Sequence, residues 1–598
     1  MNKPTHDTRN GLLCALAVAA ALWASYPVAE MGFIDDWSYI KTAQMFAQTG
    51  HFVYNGWAVE ILGWQVLWGA LFIKLFGFSF TITRLSMLPV VMATIFLLHS
   101  ILRRFGVTPR NAIFGTLTFG LSPLFLPLAG SFMTDVPGVF VILLCLYLCK
   151  RAVDAGTARS TIAWLTLAAA SNALGGSVRQ IPWLGALVML PSTGWLLRKR
   201  RGVLLASFFL WGISAAAIFL TMQWFSHQPY SLPEPILPPA GLNPIKHSIH
   251  LLFQLSGALL CILLMVFPIL VAWLTTVRSL NSAALSKLAL ITATFGVFEW
   301  ITSWTAPWLY HVLSAEFDPN RNGENGAAMF PGLPKWGRET ISLLVVVTAL
   351  ILLRQLRSKL WPQLKSWAKG RTALPSPWQD ILWLLGPFTV CYFLLLIPRG
   401  YRFVISDTYL LPIIPIAILC LLLLHQRWIA KPIPRISFAV LAIFALLSVA
   451  GTHDWFAWYR AKTIAANEIL ASGVPRTEIQ GGWAYDGWTQ IEADGYLNDP
   501  RLVLPAGAYH PVPNPQPDPN KCGYDFTSYT PAIHPRFSLV FARKMSCLTP
   551  SKFPPVHYRT WLPPFSGTIY VQRIPGTATA INGFHPQNPV KPHKPLHS

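Results

Sequence analysis

Long apolar runs recur from Gly11 to about Ala450, with short polar or basic segments between them. Each run approaches the roughly 20 residues that cross hydrocarbon as a helix. The pattern predicts spans over 10–28, 80–102, 111–129, 135–150, 160–176, 180–197, 203–224, 249–275, 286–311, 339–357, 378–397, 407–425 and 434–452, about 13 transmembrane helices. One apolar stretch does not fit as a span. Ile61 to Phe76 is short, carries Gln65 and Lys74, and is followed at once by another hydrophobic run. It reads as an interfacial helix on the outer surface. From Thr452 onward no run is long enough to span, and Pro, Gly, Asn and Asp become frequent. The predicted organisation is a polytopic α-helical membrane domain over 1–452 with a large outer loop at 29–79. An extracytoplasmic α/β domain follows over 453–575, then a Pro- and His-rich disordered tail over 576–598.

Basic clusters fix the orientation, because cytoplasmic loops retain Lys and Arg. They fall at Arg103-Arg104, Lys150-Arg151, Arg198 to Arg201, Arg278 to Lys287, Arg354 to Arg371 and Arg427 to Arg435. Placing them all inside puts the N-terminus in the cytoplasm and the C-terminal domain outside. Counting Ile61 to Phe76 as a span would invert every later cluster. The outer side then carries the 29–79 loop, a short loop at Asp135, loops at 226–247, 312–338 and 398–406, and the C-terminal part. Lys3 and Arg9 followed by Gly11 to Trp23 resemble a signal sequence, but no small-residue cleavage site follows, so this segment reads as an uncleaved anchor.

Composition narrows the class. Apolar residues make up 53% and charged residues 12% of the 598, whereas a soluble domain carries about 25% charge. The net charge of +22 is accounted for by cytoplasmic loops and anionic headgroups. A nucleic-acid partner is excluded, since the basic residues sit in short clusters and form no continuous face. Six of the eight cysteines lie in or beside apolar runs; Cys522 and Cys547 lie in the polar C-terminal part and can pair if it faces an oxidising compartment.

The densest chemistry is Phe33-Ile34-Asp35-Asp36-Trp37-Ser38-Tyr39, just outside the first span. One Asp suffices to cap a helix; two adjacent carboxylates at a membrane surface repel, raise one pKa and suit a general base or a cation. Asp135, in Thr134-Asp135-Val136-Pro137, lies between two spans on the same side, where a helix cap is again an alternative. Arg179, Arg399 and Arg402 break the cytoplasmic pattern of basic residues. Each is either a headgroup anchor or a guanidinium fork for phosphate. Glu299 falls inside a span, where an ionisable group is either functional or satisfied locally. In the C-terminal part, Gly481-Gly482-Trp483-Ala484-Tyr485-Asp486-Gly487-Trp488 can stack on sugar rings or pack a core. His453 and Asp454 can cap the last span or reach the site.

In their order along the chain these motifs resemble a family. An Asp-Asp pair followed by Tyr39 is succeeded by the interfacial helix and the turn Gly77-Phe78-Ser79-Phe80-Thr81-Ile82-Thr83-Arg84. The Thr134-Asp135 loop comes next, and Asp407-Thr408-Tyr409-Leu410-Leu411-Pro412 precedes a late span. Over residues 10–450 the chain is similar to the GT-C glycosyltransferases, and within them to family 39, which includes protein O-mannosyltransferases and lipid A aminoarabinose transferases. The resemblance implies a GT-C fold in a bacterial inner membrane. It implies transfer of a hexose or pentose, with inversion, from a polyprenyl-phosphate sugar to a hydroxyl of a glycan, lipid or protein on the periplasmic face. It assigns Asp35, Asp36 and Asp135 to catalysis and Arg84, Arg179, Arg399 and Arg402 to the donor phosphate, with Tyr39, Asp407 and Tyr409 in support. Thr408 stands where the family has Arg, which leaves Arg402 to supply that charge. No metal is strictly required by the resemblance, although paired acids can hold a divalent cation. The competing reading is a transporter or flippase of a lipid-linked sugar. Transporters carry inverted repeats and broken helices at mid-membrane, whereas this chain shows no repeat and gathers its polar residues on the outer face.

Overall fold

The computed structural model describes residues 4–232, 243–279, 282–302, 335–369, 376–402, 404–508, 528–541 and 547–575. Helical segments fall within each stretch marked as a span, with interruptions that include 25–28, 121–124 and 411–413, and 286–311 is described as far as residue 302. Among the described residues seven helices are long and apolar enough to cross a membrane: Phe80–Arg104, Asp135–Asp154, Arg201–Ser226, Pro244–Met265, Glu339–Trp367, Pro377–Tyr401 and Arg435–Ala471. Their outer surfaces are apolar. Helix Arg201–Ser226 turns Leu205, Phe209 and Leu220 outward at 71, 69 and 66% exposure, which is unfavourable in water and neutral in hydrocarbon. This is the build of a multi-pass membrane protein.

Helix Asp135–Asp154 carries charged groups at both ends. It has 20 residues, a rise of about 30 Å. At its far end Asp154 meets Arg104 at 3.2 Å, Lys150 reaches Asp380 at 2.8 Å, and Arg103 pairs with Asp7 at 2.8 Å. At its near end stands Asp135. These ion pairs and Asp135 are thus separated by the length of a span.

The Ile61-to-Phe76 stretch forms helix Gly63–Phe76, 14 residues long. Its rise of about 21 Å falls short of the ~30 Å hydrocarbon layer. Gln65, Val66, Gly69, Ala70 and Ile73 face the protein, and Leu67, Leu71 and Leu75 face out. Gly63 is required at the start, because a Cβ there would lie 2.1 Å from the Ser177 hydroxyl oxygen.

One predicted loop is corrected. Residues 398–402 continue helix Gly386–Arg402, with Pro398 inside it. Proline interrupts helices in water, but apolar surroundings strongly favour keeping the remaining backbone bonds. Arg399 therefore projects from a helix.

Helix Arg435–Ala471 has 37 residues, about 55 Å, and runs unbroken through position 452 into the C-terminal part. There a five-stranded sheet forms from β1 (Ile479–Gln480), β2 (Phe537–Phe541), β3 (Thr549–Pro550), β4 (Val556–Arg559) and β5 (Ser566–Arg573). The order is β1-β2-β5-β3, with β4 also on β5; β1 and β2 are parallel and the other pairs antiparallel. Asp454 ties the sheet to the long helix, accepting the N–H groups of Trp561 and Leu562 at 2.6 and 2.9 Å. His453 stacks on the Trp561 ring. Cys547 is disulfide-bonded; Cys522, like the 576–598 tail, lies outside the described residues.

Candidate active site

The Phe33–Trp37 turn is fixed from below by helix Arg435–Ala471. The Phe33 ring sits 4.7, 4.9 and 5.5 Å from the rings of Trp455, Phe456 and Tyr459. Ile34 is held at φ 52°, and its N–H donates to the Tyr459 hydroxyl at 3.3 Å. A β-branched residue in this left-handed region costs about 1–3 kcal/mol and persists only where its surroundings enforce it. The strained residue delivers Asp35 to the N-cap position of helix Asp36–Thr49, yet the Asp35 side chain makes no capping bond. Its Oδ1 instead accepts the indole N–H of Trp483 at 3.2 Å. The capping explanation for this carboxylate is therefore set aside.

Asp36 has a different fate. It is fully buried, and its carboxylate is gripped by the Arg84 guanidinium through Nε at 2.7 Å and Nη2 at 3.1 Å. It also accepts the N–H of Phe33 at 2.7 Å and of Phe132 at 3.2 Å. Arg84 also donates to the carbonyls of Ala29 and Met31. Four of its five N–H donors are thus engaged inside the protein, and the Asp36 carboxylate accepts four hydrogen bonds. The pair pins the first loop to the 131–135 loop, an arrangement continued by Gln65, whose amide donates to the Phe132 carbonyl at 2.7 Å.

Beyond that pin lies a second charged group. Asp135 is buried and its Oδ1 accepts Arg179 Nη1 at 2.6 Å. The Arg179 guanidinium lies 5.2 Å from the Tyr409 ring centroid, and Arg399 lies 5.5 Å from the same ring. Arg399 Nη2 donates to the Tyr409 hydroxyl at 3.0 Å, and the Tyr392 hydroxyl donates to the Tyr409 carbonyl. Tyr39, one turn along from Asp35, donates to Glu60 Oε2 at 3.0 Å. Glu60 is held beside this group by the chain around it: Gln180 donates to the Val59 carbonyl at 2.7 Å, and Leu62 N–H to the Val178 carbonyl at 3.2 Å.

The electrostatics follow from the burial. Desolvation raises the Asp35 pKa to about 6; the Trp483 and Trp57 hydrogen bonds oppose the rise, and the charges of Asp36 and Asp135 add to it. Burial likewise raises Glu60, with Arg179 and the Tyr39 bond pulling back. For Arg179, burial disfavours the charge but is outweighed by the carboxylates of Asp135 and Glu60, so its pKa is raised. Burial thus pushes the Asp35 carboxyl up to about 6, while the neighbouring carboxylates hold the charge on Arg179.

The structure thus brings Asp35, Tyr39, Asp135, Arg179, Arg399 and Tyr409 into one network. Asp36 and Arg84 close off its floor. Asp407 is fully buried in the turn Asp407–Leu410. The Arg402 and Glu299 side chains lie outside the described residues. Among the described residues no three His, Cys, Asp or Glu come together as metal ligands. Sequence reasoning did not reach Glu60, nor the bond from Trp483 to Asp35. Glu60 carries a signal, an acid in the apolar run Ala58-Val59-Glu60-Ile61-Leu62; nothing local marks Trp483 as a partner of Asp35.

No family model matches the chain, and no curated protein matches it. Several solved structures are similar to the chain at low identity. A protein O-mannosyltransferase complex of S. cerevisiae bound to its sugar donor matches at 14% identity over 38% of this chain and 34% of that one, with a TM-score of 0.31. ArnT from Cupriavidus metallidurans, bound to undecaprenyl phosphate, matches at 14% over 78% and 81%, with a TM-score of 0.34. The oligosaccharyltransferase AglB from Archaeoglobus fulgidus, with an inhibitory peptide and a dolichol-phosphate, matches at 14% over 77% and 58%, with a TM-score of 0.37. Likenesses of this size add no weight to the reading of individual side chains.

Proposed function

We propose that this chain is a membrane glycosyltransferase that moves a hexose or pentose from a polyprenyl-phosphate donor to an acceptor hydroxyl on the periplasmic face of a bacterial inner membrane. The observation that carries this reading is the uncapped carboxylate of Asp35, whose charge is felt by that of Asp135, the ion-pair partner of Arg179. The Asp35 carboxylate can take a proton where the guanidinium can receive a leaving anion.

The reaction follows from that pairing. The acceptor hydroxyl hydrogen-bonds to Asp35 and its oxygen attacks the anomeric carbon. The new C–O bond forms as the bond to the donor phosphate breaks on the opposite face, which inverts the anomeric centre. The hydroxyl proton passes to Asp35, and the electron pair leaves with the lipid phosphate. Arg179 and Arg399 stabilise the charge that develops there. Asp135 orients Arg179, and Glu60, bonded by Tyr39, adds its charge to the hold on Arg179. A polyprenyl chain stays in hydrocarbon while its headgroup meets these outer residues. In this reading about 13 helices cross the membrane, with the N-terminus cytoplasmic and the C-terminal α/β part periplasmic.

A base must be ionised to act, and the Asp35 carboxyl is pushed up to about 6. Transfer measured in membrane vesicles should therefore decline below about pH 6, tending to tenfold per pH unit. An unperturbed aspartate would keep the rate flat down to about pH 4. The reading itself is tested by mass spectrometry of envelope glycans and lipids with and without the gene. A saccharide modification should disappear on deletion and return on complementation; identical profiles would refute a transferase.

A further inference from the structure

Trp483 lies 448 residues from Asp35 in sequence and is its hydrogen-bond donor in space. The segment before it is built to aim that indole. Gly481 N–H donates to Asp486 Oδ1 at 2.8 Å, and the preceding β1 pairs in parallel with β2. Gly482 adopts φ 86°, ψ 171°, a conformation open essentially to glycine alone. The helix Trp483–Asp494 then starts with Trp483 itself. Its ring is 7% exposed and is packed by Trp57 at 4.6 Å, Trp37 at 5.5 Å and Tyr529 at 6.1 Å. An indole confined on these sides by aromatic rings has little rotational freedom, so its N–H direction is set jointly by the first loop and the C-terminal segment that carries it.

We propose that Trp483 is a positioning residue for Asp35, and that the C-terminal domain thereby completes the active site instead of merely sitting above it. The inference rests on the glycosyltransferase reading for its catalytic meaning, while the contact itself does not. The indole N–H fixes the rotation of the carboxyl group and favours its ionised form, the one that receives the acceptor proton. The other titratable groups facing Asp35 are Asp36 and Asp135, whose charges oppose ionisation, and Tyr39. Trp57 is the second indole donor acting on it. The glycine-rich, tryptophan-rich stretch at 481–488 is then required by the chemistry of a residue at the far end of the chain.

The test is Trp483→Phe in the full-length protein in lipid nanodiscs, which keeps most of the ring and removes the N–H. Infrared difference spectra across pH identify the protonated Asp35 carboxyl as the band lost in Asp35→Asn. Its midpoint should lie near 6 in the wild type and rise by about one unit in Trp483→Phe. Gly482→Ala, which redirects the indole without deleting it, should shift the midpoint the same way. An unchanged midpoint in Trp483→Phe, with the melting temperature retained, overturns the proposal. If Trp483→Phe melts early, the Gly482→Ala midpoint decides in its place. The spectra need no substrate, so their outcome is independent of the glycan profiles: a shifted midpoint with unaltered profiles in Asp35→Asn condemns the transferase reading and not the contact.

Discussion

Asp35→Asn lowers glycan transfer by roughly 10²–10⁴-fold, the usual contribution of a positioned general base, and leaves the protein folded. The substitution preserves shape and can still accept the Trp483 N–H through its amide oxygen, so the surrounding packing has no reason to move. Stability follows from the sign of the shift. The folded carboxyl is raised to about 6 from an ordinary value of 3.8. The unfolded chain therefore releases this proton more readily, and the ionised side chain opposes folding as pH rises from about 4 to about 6. Neutral Asn removes that opposition, so the melting temperature at pH 7 should equal or exceed the wild type. The pair of readouts is envelope glycan mass spectrometry and a thermal melt of the purified protein. Full restoration of the glycan by the variant would remove Asp35 from the mechanism; a collapsed melt would make it structural.

Arg84→Ala should act in the opposite sense, on the fold first. The Arg84–Asp36 pair is nearly inaccessible, with side-chain exposures of 2 and 0%. Deleting one partner of such a pair strands a buried charge and costs about 3–5 kcal/mol. The loss reaches further than one pair, because Arg84 also holds the Ala29 and Met31 carbonyls and Asp36 holds the Phe132 N–H. Both loops that deliver Asp35 and Asp135 would loosen together. Arg84→Lys keeps the charge but loses the fork, and should fall between wild type and Ala. Thermal melts in detergent read the effect. If Arg84→Ala melts like wild type while transfer is lost, the guanidinium serves the donor phosphate after all.

The membrane helices were legible because each carries its own signal, a run of apolar residues of the right length. The short helix Gly63–Phe76 was legible for the converse reason, being too short and carrying Gln65. The acids of the first loop were legible as a pair but not as individuals. Asp36 is drawn into an ion pair by Arg84, 48 residues on, and Asp35 is bonded by Trp483, neither of which the local sequence marks. Glu60 was overlooked because a single acid at the edge of an apolar stretch resembles an interfacial residue until Tyr39 and Arg179 are seen around it. The loop expected at 398–406 is shorter than its Pro398-Arg399-Gly400 turn chemistry suggests, because the helix continues to Arg402 and residues 404–406 alone are described as non-helical.

The central claim is that a lipid-linked sugar is consumed at Asp35. It is tested most directly by quantifying polyprenyl-phosphate sugars by lipid mass spectrometry in cells whose own copy of the gene encodes Asp35→Asn. One such lipid should accumulate as it does in the deletion strain, since the donor is still made and no longer spent. A lipid profile matching the wild type, with the variant protein present at normal abundance, contradicts the account.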